Sequence, residues 1–143
     1  MPYDLDRFVA AQDPVYAVVL DELRQARKRS HWMWFIFPQV AGLGSSPMSR
    51  RFAVGSLDEA AAYLAHPVLG ARIRECAGLV LATRDRTAEQ IFGGMDAVKL
   101  RSSMTLFLRA APDETVFAGV LDRYFGGAAD EAPDARRVRG GAV

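Results

Sequence analysis

Ser30-His31-Trp32-Met33-Trp34-Phe35-Ile36-Phe37-Pro38-Gln39 carries both tryptophans of the chain inside an unbroken apolar run. Such a run fits a buried strand or a short buried helix, and periodicity alone does not separate the two. The rest of the chain does. A strand needs a partner, and no second segment with strand patterning between turn residues stands ready to pair with it. The run therefore reads as a short helix begun by Ser30 and stopped by Pro38, and the fold class as all-α.

Upstream, Asp4 heads a first turn holding Leu5, Phe8 and Val9. Asp13-Pro14 predicts the next helix start, with Asp accepting a free backbone N–H and Pro in the first position, where no donor is missed. Tyr16, Val19, Leu20 and Leu23 then follow the spacing of one buried stripe. The basic residues from Arg24 to Arg29 form its last turn, where cations complement the negative end of the helix dipole. Downstream, Gln39 to Pro47 is a loop by composition, with Gly42 and Gly44 free to take positive φ and placed to line a pocket beside the Trp-rich run.

Ser56-Leu57-Asp58-Glu59 and Thr87-Ala88-Glu89-Gln90 are capping boxes that open two further helices. His66-Pro67 stops the first and starts another, whose broad apolar face includes Ile73, Cys76 and Val80. Gly93-Gly94 ends the short helix after Thr87. Asp96 caps the next one, which runs to Pro112, and Asp113 starts a last amphipathic helix through Phe117, Val120, Leu121 and Tyr124. These signals add up to about seven or eight short helices that gain most of their stability from packing on one another. They predict a single helical domain over residues 1–127 and a flexible tail over residues 128–143, where the composition turns to Gly, Ala, Asp and Arg.

Composition narrows the function. The chain has 143 residues, half of them hydrophobic, with 18 basic against 17 acidic side chains for a net charge of +1. That balance gives no global field for nucleic acid or an anionic membrane, so nucleic-acid binding through the 24–29 cluster is the weakest reading. No apolar run approaches the roughly 20 residues of a membrane span. The N-terminus lacks the basic and apolar regions of a secretory signal, and the single Cys76 points to a reducing compartment, so the cytoplasm is the expected location. Cys76 itself reads as a small buried hydrophobe. Phosphate-loop, dinucleotide, zinc-protease and nucleophile-elbow motifs are all missing, and two histidines with one cysteine do not make a metal site, so neither metal nor cofactor is expected.

Two sets of polar residues stand where apolar packing would not place them. Asp96, Lys99 and Ser103 fall along one helix face with Ser102 beside them, an arrangement that also fits an ordinary i, i+3 ion pair. His31, Trp32, Trp34 and Gln39 form the other set, just after Lys28. Tryptophan walls suit stacking on a ring as well as filling a core, and a histidine there suits acid, base or anion contact.

The segments from Ser30 to Gln39, Gly42-Leu43-Gly44, His66-Pro67-Val68-Leu69-Gly70 with Arg72, and Asp96 with Lys99-Leu100 and Ser102-Ser103-Met104-Thr105-Leu106-Phe107 resemble a family of bacterial and fungal proteins catalogued as a domain of unknown function. The likeness runs from Leu5 to Phe125 and leaves the tail outside. Genomes sometimes label the family calpastatin, but a disordered inhibitor has low hydrophobicity and repeats, and this chain has neither. The resemblance implies a mainly α-helical fold and places the family's motif positions on His31, Trp32, Trp34, Gln39, His66, Arg72, Asp96, Lys99, Ser102 and Ser103.

The resulting expectation is a cleft for a small anionic, nucleotide-like ligand. Lys28, Arg72 and Lys99 would neutralise charge, Ser102, Ser103 and Gln39 would hydrogen-bond, and Trp32 or Trp34 would stack. His31 and Asp96 are the candidate acid and base of a metal-independent hydrolysis or transfer. His31, Asp96, Lys99 and Ser103 should then share one cavity. The alternative is a non-catalytic helical module whose apolar groove takes a partner helix.

Overall fold

Capping residues and apolar stripes divide the computed structural model, which describes residues 3–126, into nine α-helices and no strand among the described residues. They are α1 (Asp6–Gln12), α2 (Tyr16–Arg24), α3 (Met33–Ile36), α4 (Pro47–Arg51), α5 (Leu57–Ala65), α6 (Leu69–Ala82), α7 (Ala88–Phe92), α8 (Gly94–Ala110) and α9 (Thr115–Phe125). The all-α class stands, with one helix more than expected. That helix is α4, where the Ser46 hydroxyl accepts the Ser49 N–H and Pro47 opens the first turn. The expected flexible tail over residues 128–143 lies outside the described residues.

Four helices close on one another: α5 packs on α6 and α8, and α9 packs on the same two from the other side. The longest, α8, also carries α7. The N-terminal third lies against this unit, with α2 and α3 on α6 and α1 on α3. A chain of aromatic contacts runs from Phe35 through Phe52, Phe8, Tyr63 and Phe107 to Phe117, joining the two parts in one core. Buried Gln12 reinforces the join, since its amide donates to the Phe35 carbonyl at 2.7 Å and to the Tyr63 hydroxyl at 3.0 Å.

Several helix ends depart from expectation for physical reasons. Asp13 closes α1 instead of capping α2, and its freed carboxylate pairs with Arg72 at 2.9 Å. α2 ends at Arg24, not Arg29. There the Ala26 and Arg27 N–H groups return to the Leu23 and Glu22 carbonyls, and Ala26 takes a left-handed φ of 57° that glycine would adopt more easily. α3 begins at Met33, because the Ser30 hydroxyl is drawn to Glu22. The Thr87 box forms in full, but Glu59 reaches one residue past Ser56 to the Gly55 N–H at 2.8 Å.

Candidate functional site

Gly93 takes a φ of 83°, which joins α7 directly to α8 and puts Asp96 in the first turn of α8 rather than at its cap. An acid there complements the helix dipole and still has both oxygens to offer. Lys28 Nζ lies 2.8 Å from Oδ2 and Lys99 Nζ lies 3.2 Å from Oδ1. These are the only two lysines in the chain. Each ammonium also sits over one of the only two tryptophans, Lys28 at 4.9 Å from the Trp32 ring centre and Lys99 at 4.3 Å from that of Trp34. Burial pushes the Asp96 carboxyl up, but hydrogen bonds and charge from Lys28, then Lys99, outweigh it and hold the group below its ordinary value.

The two halves of this arrangement differ in what surrounds them. Lys28 is carried in by the tight end of α2, and its N–H donates to the Ile91 carbonyl at 2.7 Å. Its ammonium also donates to the Ser30 carbonyl, and the side chain is only 7% exposed. Next to it, buried Glu22 accepts four hydrogen bonds: from the Arg29 N–H at 2.8 Å, the Ser30 N–H at 3.0 Å, the Ser30 hydroxyl at 2.6 Å and the Trp32 indole N–H at 3.0 Å. Burial would raise the Glu22 carboxyl, yet the four donors bring it down to about 2. Glu22 was not among the candidates read from sequence. The available signal was an acid at the edge of the α2 stripe, between Val19 and Leu23, shortly before a segment rich in donors.

Trp34 faces a groove of about 590 Å³ between the 43–46 loop with α4 and the first turns of α8. Trp34, Leu43, Met95 and Val98 give it apolar walls, while Lys99, Gln39 and the serines Ser45, Ser46 and Ser49 supply polar groups. An isolated parallel bridge between Val40 and Val54 anchors the loop, with Val54 donating to the Gln39 carbonyl at 2.9 Å. The Gln39 carboxamide makes no hydrogen bond among the described residues and is available at the groove. Gly42 takes the expected positive φ of 94°. Gly44 is needed for another reason, since a Cβ there would meet Ser49 Oγ at 2.8 Å.

The remaining candidates fall elsewhere. His31 is exposed and makes no hydrogen bond, ion pair or ring contact among the described residues. Arg72 joins Asp13, Gln12 and the Tyr16 ring by the start of α2, whereas Lys28 lies past its end. Ser102 and Ser103 are buried, their hydroxyls have no partner among the described residues, and neither lines the groove. So the four residues expected to share one cavity do not: Lys99 alone lines the groove, Asp96 pairs with it from outside the lining, and His31 and Ser103 lie elsewhere. His66 Nδ1 accepts the Val68 and Leu69 N–H groups at 3.1 and 3.2 Å, between the end of α5 and the start of α6. Gly70 follows because a Cβ there would lie 2.1 Å from the Leu64 carbonyl oxygen. Cys76 is fully buried, and burial pushes its thiol up to about 12.

Among the described residues no cluster of three or more His, Cys, Asp or Glu could hold a metal ion, and no helix is long and apolar enough to cross a membrane. A family model described as "Protein of unknown function (DUF1810)" matches residues 2–136, past the stretch over which the sequence motifs recur. A conserved hypothetical protein from Mycobacterium tuberculosis, whose crystal structure was solved at 1.38 Å, is 52% identical with a TM-score of 0.90, and the match covers 100% of this chain and 99% of that one. A search of the curated proteins finds no match.

Proposed function

We propose that this chain, which belongs to the DUF1810 family, binds a small anionic ligand in the groove between the 43–46 loop with α4 and the start of α8. One observation carries the reading: two ammonium groups share the Asp96 carboxylate, and the one left with spare capacity, Lys99, stands at the groove against Trp34. Lys99 therefore presents its positive charge where a ligand can reach it. Trp34 and Gln39 offer a flat apolar wall and an unused amide beside it.

Binding rather than turnover is the reading these residues support. Asp96 is committed to two cations and kept ionised, and the groove lining includes neither a histidine nor a carboxylate to move a proton. A thermal-shift screen of nucleotides, NAD metabolites, sugar phosphates and organic acids tests the proposal. A ligand at a hundredfold excess over its Kd stabilises the native state by about 2.7 kcal/mol. The expected result is at least one anionic hit that disappears in Lys99→Ala. A blank screen, or hits unchanged in that variant, would overturn it.

A second reading, docking of a partner helix, has its own support: Met95 and Val98 stand 79% and 63% exposed one turn apart at the groove. It predicts that Met95→Ser with Val98→Ser abolishes partner binding while the anion screen stays blank.

A further inference from the structure

We infer that the occupant of this groove is a monoanion with an apolar body, a carboxylate on an aromatic or aliphatic frame, rather than a phosphate dianion; this rests on the anion-binding reading of the groove. The charge available limits the ligand first. Lys28 is held inside, its ammonium bound to Asp96 and the Ser30 carbonyl and lying over the Trp32 face. Lys99 gives one N–H to Asp96 and lies over the Trp34 face, so a single, partly committed ammonium is the cation that meets an incoming acceptor. Among the described residues no arginine lines the groove. Tight phosphate recognition uses the arginine fork or a nest of backbone N–H groups, and the groove lining supplies no arginine fork.

The other polar groups point the same way. The Ser46 hydroxyl donates to Ser49 Oγ at 3.1 Å and the Ser49 hydroxyl to the Ser46 carbonyl at 2.9 Å, while the Ser49 N–H is taken by Ser46. That leaves Ser45 and the Gln39 carboxamide, enough for one carboxylate. At the start of α8 the Asp96 carboxylate already answers the helix dipole and repels a second negative charge. The walls, meanwhile, are Trp34, Leu43, Met95 and Val98, and the exposure of the last two falls on covering them with apolar atoms.

Three probes with one ring system test this by calorimetry at pH 7.5: 2-naphthoate, 2-naphthyl phosphate and the neutral 2-naphthamide. In the native chain 2-naphthoate should bind about tenfold more tightly than 2-naphthamide, as loss of a charge-assisted hydrogen bond implies, and more tightly than 2-naphthyl phosphate. Lys99→Met should bring 2-naphthoate down to the affinity of the amide, and Met95→Ser, at an exposed position that leaves the fold intact, should weaken it too. Tighter binding of the phosphate, or no effect of Met95→Ser, would overturn the monoanion inference and leave the anion site standing. Equal affinity for amide and naphthoate, or no binding by any probe, would overturn both.

Discussion

Trp32 and Trp34 stand two residues apart in one motif and lead different lives. Trp32 is 1% exposed, packs against Phe37 and Phe92, and gives its indole N–H to Glu22. Trp34 is half-buried and forms a wall of the groove. Their lysines repeat the contrast across Asp96, with the Lys28 side chain 7% exposed and that of Lys99 19%. The inner arm has every polar group matched inside the protein, so its worth lies in holding the 28–32 segment. The outer arm keeps a donor and an aromatic wall in reserve. A single motif thus divides into a part that serves the fold and a part that faces the groove.

The largest expected effect falls on the inner arm. Lys28→Met leaves the partly buried Asp96 with one partner, and urea denaturation should report a loss of about 2–3 kcal/mol, below that of a fully buried pair. Lys99→Met, at the more open end of the same cluster, should cost no more than about 1 kcal/mol. Equal losses would erase the distinction between the arms.

Acid titration sharpens it further. The Glu22 carboxylate stays ionised in the folded chain down to about 2, against an ordinary value of 4.5. The unfolded chain therefore takes up this proton first as pH falls. Stability from Glu22 is complete above about pH 4.5 and drains away towards pH 2, by about 3 kcal/mol for a shift of this size. Asp96, also held low, adds loss in the same direction. Glu22→Gln should flatten the Glu22 part of this acid limb in pH-dependent denaturation. An unchanged limb would remove Glu22 as the anchor of the inner arm.

How much of this could be read beforehand depended on the reach of each signal. The all-α class was legible because the apolar run had no strand to pair with and the caps recur along the chain. The Thr87 box is complete within four residues and forms as written. The same kind of local rule misled at Asp13-Pro14, where the preceding helix claims Asp13 as its end and Arg72 takes its carboxylate. At Ser46-Pro47 the rule holds, although the glycines and serines around it read as loop. In the site, the Asp96–Lys99 pair was legible from its i, i+3 spacing. Lys28 meeting Asp96 was not, since it depends on a tight turn after α2 and on the Ile91 carbonyl holding that turn against α7. Ser102 and Ser103 share the Lys99 helix and yet are buried, because one helical turn beyond the groove the same element enters the core.

The most direct measurement of the division between the arms is the pair of indole N–H resonances during a titration of the native chain with 2-naphthoate. The Trp34 resonance should shift saturably, while the Trp32 resonance, held by Glu22, should stay nearly unmoved. Neither resonance moving, or Trp32 moving as far as Trp34, would contradict it.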